Sequence, residues 1–166
     1  MLVRAYAYIL AMGGDGLTQA SLDAVLAANY VRSRLENVLE LPHYGYCQHE
    51  FVASARNLGS HGVRAIDVAK GLLERGFYAP TIYFPLIVPE AVMIEPTETE
   101  SKQTLDAFVA ALEEIVEQAK SDPEALHNEP TKLPVGRLDE VAAARKPVLR
   151  WESSSAPAGT ASQTSS

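Results

Sequence analysis

The residues most suited to chemistry fall in three clusters. His43, Cys47, His49 and Glu50 carry the ligand types that zinc accepts at short spacing. If Phe51 and Val52 belong to a strand, however, His49 and Glu50 point to opposite faces, and no second ligand pair follows. The expectation is therefore no metal site. Cys47 beside a histidine could be a nucleophile pair, but spacing cannot bring an imidazole to the sulfur, and a structural cysteine is the simpler reading. Gly59-Ser60-His61-Gly62 ahead of a helix could cradle an anion or clamp a nucleic-acid backbone. The loop holds no lysine, and a turn that needs a left-handed glycine is the favoured reading. Glu95, Glu98 and Glu100 could act as acid or base. Placed at a helix start, they would instead complement its dipole, at about 0.3–1 kcal/mol each. None of Lys70, Lys102, Lys120, Lys132 and Lys146 sits in an apolar or glycine-rich context that would lower its pKa for Schiff-base chemistry. Taken residue by residue, no complete catalytic constellation emerges.

The elements that must hold these residues follow from periodicity. Residues 1–12 read as a helix without a capping residue at its start, as if the chain began inside a larger structure with an apolar helix face meant for the missing part. Such a face predicts self-association. Gly13-Gly14-Asp15-Gly16 breaks the helix, and Thr18 is expected to cap a second one. That second helix, stapled by Leu17 and Leu22, carries Leu22, Val25, Leu26, Leu35, Val38 and Leu39 to about Glu40. Residues 44–56 read as a strand region, and residues 65–73 as a helix closed by Gly76. Thr81 to Ser101 reads as a proline-interrupted strand, a second short strand over Ala91–Ile94, and a capping box of Thr97 and Glu100. Such a layout puts a polar turn at the end of a sheet, where α/β domains often hold a site. Leu105, Phe108, Val109, Leu112, Ile115, Val116 and Ala119 form the stripe of a long helix ending near Pro123. Residues 122–134 read as a loop, 138–145 as a short helix, 148–151 as a last strand, and the serine-rich end from 152 as disordered. The fold class is α/β or α+β: a small mixed or antiparallel sheet covered by helices.

Bulk properties bound the rest. The 166 residues make about one domain. A net charge of −7 argues against nucleic acid or an anionic membrane as the main partner. One cysteine excludes an internal disulfide and suggests a reducing, cytoplasmic setting, and no apolar run reaches membrane-spanning length.

HEFV at 49–52, DVAKGLLERGFYAPTIYFPLIVPEAVMIEPTETES at 67–101 and VGRLDEVAAARKPVLRW at 135–151, with LVRAYAYIL and GLTQASLDAVLAANYVRSRL before them, closely resemble one family. It is subunit 2 of the two-subunit bacterial glycine dehydrogenase (decarboxylating), the P-protein of the glycine cleavage system, at its C-terminal end. The resemblance implies an aspartate-aminotransferase (fold-type I) enzyme dependent on pyridoxal 5'-phosphate, with residues 1–40 next to the large domain and 41–151 forming the small domain. It implies glycine as substrate, loss of CO2 with the cofactor as electron sink, and transfer of the aminomethyl group to the lipoyl arm of H-protein, with subunit 1 as partner. The family's cofactor lysine lies in a His-Lys-Thr context that this chain lacks, so the expectation is a chain inactive alone. His49, Glu50, Thr97, Glu98 and Glu100 are the residues expected near substrate or lipoyl arm. The alternatives are a non-catalytic subunit-interaction fragment, or another fold-type I decarboxylase or aminotransferase.

Overall fold

The computed structural model describes residues 1–150. Met1–Gly136 form one compact unit, and the chain from Arg137 belongs to a second. In the first unit the order is α1 (Leu2–Arg34), β1 (Phe51–Ser54), a 3-10 helix (Arg56–His61), α2 (Ala65–Glu74), β2 (Thr81–Ile82), β3 (Ala91–Ile94), α3 (Lys102–Ser121) and α4 (Pro123–Asn128). The second unit carries α5 (Glu140–Arg145), capped by Asp139 on the Ala142 amide. Among the described residues no helix is long and apolar enough to cross a membrane.

The sheet is antiparallel in the order β1-β3-β2. Phe51 lies opposite Ile94 and Ser54 opposite Ala91. Alternation cannot be read cleanly in these strands because Ala53, Ala91, Val92 and Ile94 are all buried. The core closes over them with Ala28, Val31 and Leu35 from α1, Val68 and Leu72 from α2, and Val109, Leu112 and Ile115 from α3. The α3 stripe thus packs as its period required, with Phe108 half-buried at its margin.

The two expected helices are present as two segments of α1, broken at Gly13. The backbone leaves helical geometry at Gly13 alone (φ 63°, ψ −176°), a conformation that glycine tolerates without a Cβ clash. The helix resumes at once, so Thr18 is no cap: its hydroxyl donates to the Gly14 carbonyl inside the helix. Leu22 is 59% exposed and staples nothing. α1 also ends at Arg34 rather than Glu40.

The strand expected over 44–56 shrinks to Phe51–Ser54, because the preceding loop spends its backbone bonds on α1. Asn29 donates to the Cys47 carbonyl (2.8 Å) and accepts from the Cys47 amide (3.0 Å). The proline-interrupted strand stops at Ile82. Tyr83 (φ 61°) and Glu90 (φ 50°) take left-handed turns, and the segment between them leaves the sheet, exposing Leu86 and Ile87. The expected capping box fails too. Ser101 caps α3 by accepting from the Thr104 amide, while Thr97 bonds Thr99, so no acidic residue occupies the first turn. Within the stretch read as loop, Asp122 caps α4 and Pro123 opens it. Residues 148–150 form no strand, and Trp151 and the tail lie outside the described residues.

α2 closes as the sequence suggested. Gly76 (φ 81°) follows it, with Gly76 N–H bonding Leu73 O and Phe77 N–H bonding Leu72 O, a Schellman ending. Its start was not legible: the Glu90 carboxylate, from the turn before β3, accepts from the Ala65 amide at 2.7 Å, and Asp67 accepts from the Arg64 amide. Beyond α2, Arg75 bonds the Gly71 carbonyl, Glu129 and Gln118, tying α2, α3 and the end of α4 together.

Gly71 packs tightly against α3 and α4. A methyl group there would stand 3.0 Å from both Ile115 and Leu126. Overpacking of about 1–3 kcal/mol outweighs the gain of about 1 kcal/mol in helix propensity. Gly71→Ala should therefore lower the melting temperature, and a rise would refute this packing.

The Lys132 and Thr131 amides donate to the Glu74 carboxylate, drawing its pKa from 4.5 down to about 2. The depressed value means that Glu74 contributes stability above about pH 4.5, and that this contribution is lost as pH falls toward 2. The melting-temperature gap between wild type and Glu74→Gln should be full at neutral pH and close over that window. A gap independent of pH would sink the assignment.

Candidate functional site

The sheet register builds the site. With Phe51 opposite Ile94, the residues entering β1 lie beside those leaving β3. His49, Glu50 and Glu95 thereby come together, their ligand atoms within 4.8 Å of one another. His49 Nε2 stands 3.6 Å from Glu95 Oε1, both side chains half exposed. His43 and Cys47 do not join them. The His43 carbonyl accepts from Arg32, and Cys47 is pinned by Asn29. The four-residue zinc set weighed from spacing is not assembled.

α1 supplies the opposing wall. Tyr8, Ser21 and Val25 face His49, Thr97 and Glu98 across a groove of about 420 Å³. The Tyr8 hydroxyl donates to Glu98 Oε1 at 2.9 Å, and this bond to the carboxylate raises the phenol's pKa. Glu95 and Pro96 also line a second cavity of about 410 Å³ on their other side, and Glu100 opens onto that one. Of the expected site residues, His49, Thr97 and Glu98 thus share one groove, Glu50 stands beside His49, and Glu100 is separated from them. Tyr8 was missed because it lies in an apolar helical run, 90 residues from its partner.

The other candidates resolve into structure. The Gly62 and Val63 amides are consumed by Gly59 and Leu58 carbonyls, and Gly62 has φ 77°, so the loop is a turn and no anion nest forms at these amides. Burial pushes the Cys47 thiol up, the reverse of nucleophile activation. Lys102 is held protonated by Asp106 and lies 5.2 Å from the Tyr30 ring centroid, Lys120 pairs with Glu117, and Lys132 pairs with Glu74. No lysine lines either cavity.

The class so defined is a small α/β domain that presents a polar wall to a cleft without a Schiff-base amine in it. Residues 20–133 match the family "Glycine dehydrogenase, C-terminal domain", and the chain belongs to that family. It is 55% identical over 152 residues to the probable glycine dehydrogenase (decarboxylating) subunit 2 of Thermotoga maritima, covering 91% of this chain and 32% of the relative. Subunit 2 relatives of Rhodopirellula baltica (54% over 152 residues, 91% of this chain and 30% of the relative) and Shouchella clausii (53% over 150 residues, 90% and 30%) give the same picture. The chain spans about a third of the length of these relatives. A crystal structure of glycine decarboxylase (P-protein) of the glycine cleavage system, in inhibitor-bound form, shares the fold at TM-score 0.54 and 24% identity, over 66% of this chain and 24% of that one.

The thiol geometry is open to a direct check. At pH 8, Cys47 should react with iodoacetamide more slowly than free cysteine does, and Asn29→Ala, which frees its loop, should speed the reaction. Fast labelling of the wild type would restore Cys47 as a candidate nucleophile.

Proposed function

We propose that this chain supplies the C-terminal, small-domain portion of a glycine decarboxylase of the glycine cleavage system, with residues 1–40 as the segment next to a large domain and 41–151 as the small domain. The observation that carries this is the groove in which the sheet register and α1 set His49, Thr97, Glu98 and Tyr8 face to face, within a chain 55% identical to subunit 2 relatives. The same identity disfavours a different fold-type I decarboxylase or aminotransferase.

Pyridoxal 5'-phosphate would supply the electron sink for decarboxylation. The lysines described above do not fit a covalent seat for it, so no step is routed through the cofactor here; its seat is assigned to the remaining two-thirds of the relatives' length. What this chain's own residues do is bind and position. Tyr8 and Glu98 hold one hydrogen-bonded edge, His49 and Glu95 face each other at 3.6 Å on a second, and Thr97 lines the same groove. In this reading the wall faces glycine or the incoming lipoyl arm of H-protein, subunit 1 completes the assembly, and the setting is cytoplasmic, as the single cysteine suggests. Docking without turnover is the second reading. It is favoured by the exposed apolar row Leu2, Val3, Tyr6, Ile9 and Leu10 on α1.

The test is reconstitution. The chain alone, with cofactor and glycine, should give no stoichiometric borohydride-trappable adduct. Combined with the upstream portion of the Thermotoga maritima relative, subunit 1 and lipoylated H-protein, it should support glycine–bicarbonate exchange. His49→Ala or Glu98→Gln should then reduce kcat/KM by roughly 10²-fold, as misplacement of a positioning contact does. Assembly without exchange would favour the docking reading, and a trapped aldimine on the isolated chain would overturn the division of labour.

A further inference from the structure

The second cavity, on the other side of Glu95 and Pro96, has a composition of its own. Its volume of about 410 Å³ lies within the range of small-molecule sites. Phe77, Met93, Leu105 and Phe108 make its apolar body, with Leu105 buried and the other three half-buried. The two phenyl rings are locked edge to face, centroids 5.5 Å apart. This body is set by elements fixed independently of any ligand: Phe77 by the Schellman ending of α2, Met93 by β3, and Leu105 and Phe108 by the α3 stripe.

The charged residues that line it are of one sign. Glu95 and Glu100 are both exposed, and no lysine, arginine or histidine lines the cavity, although His49 faces Glu95 Oε1 from the groove side at 3.6 Å. A ligand that fills the apolar body and also answers the two carboxylates has an apolar arm and a cationic end. A neutral ligand would forgo the carboxylates, and an anion would be repelled by them.

We propose that this cavity binds a small amphiphilic primary ammonium: a ring or short chain seated among Phe77, Met93, Leu105 and Phe108, with its protonated amine between Glu95 and Glu100. The assignment goes beyond the groove reading and needs no turnover, so its failure would leave that reading standing. Each carboxylate is solvent-exposed, so each ion pair adds modestly and is weakened by salt. The apolar seat supplies most of the affinity, and the carboxylates supply the choice among ligands.

Three probes of nearly equal shape separate these contributions: 2-phenylethylammonium, 2-phenylethanol and 3-phenylpropionate. Each is titrated at pH 7 into the ¹⁵N-labelled full chain and followed by amide shifts. The ammonium should saturate with a Kd on the order of millimolar, as suits a ligand of this size. Its largest shifts should fall at Phe77, Met93 and Leu105. The alcohol should bind about three- to tenfold more weakly, and the carboxylate more weakly still. Glu95→Gln with Glu100→Gln should abolish the preference for ammonium over alcohol, and high salt should narrow it. Phe108→Ala should weaken both ligands together; because that change could disturb folding, the two exposed glutamine substitutions, which should leave the melt unchanged, decide the question. Equal binding of alcohol and ammonium, a preference that survives both glutamines, shifts elsewhere, or no saturation at all would each overturn the proposal. Tighter binding of a lysine-containing tripeptide than of 2-phenylethylammonium would also overturn it, transferring the cavity to a partner's side chain.

Discussion

Phe51 opposite Ile94 and Ser54 opposite Ala91 set the register of β1 against β3, and both cavities are placed by it. A slip of one residue would turn Val92 and Ile94 away from the core side they now occupy. It would also carry residues 48–50 past Glu95. β3 takes partners on both edges, so its backbone bonds hold the register from two directions. The Ser54 hydroxyl adds a lock at the far end by donating to the Pro89 carbonyl at 2.6 Å. Glu90, next in sequence, bonds Ala55 through its carbonyl and Ala65 through its carboxylate, so the turn before β3 also fixes where α2 begins.

Polar side chains carry the joints between helices. Asp67 is 3% exposed, accepts from the Arg64 amide and faces His127 Nδ1 at 3.3 Å. Arg75 and Glu129 meet at 2.9 Å with Gln118 bonded to both. Among the described residues no buried side-chain nitrogen or oxygen lacks a partner. That matters because an orphaned buried polar group costs about 1–3 kcal/mol. These joints let short helices such as α4 pack where few apolar residues are available to hold them. Only Leu126 of α4 is buried.

The chain's exposed apolar residues lie largely apart from this core. The first segment of α1 contributes no buried side chain, and the loop between Tyr83 and Glu90 holds Leu86 and Ile87 in the open. The relatives extend over about three times the length of this chain.

Periodicity determined much of this protein directly. The α3 stripe, the α2 face with its glycine ending and the turn at Gly62 all depend on residues within a few positions of one another, so local spacing suffices to read them. The family motifs were legible for the same reason. What tertiary structure decided were choices between local options of similar energy. Thr18 and Ser101 are both good caps, yet only Ser101 is used, because the second segment of α1 has already begun just after Gly13, before Thr18 is reached. Glu100 could have closed a capping box and instead opens onto a cavity. Tyr8 finds Glu98, and His49 finds Glu95, across separations that no sequence period spans. Those pairings follow from strand register and from the helix laid across the sheet end, which are set only when the whole core packs.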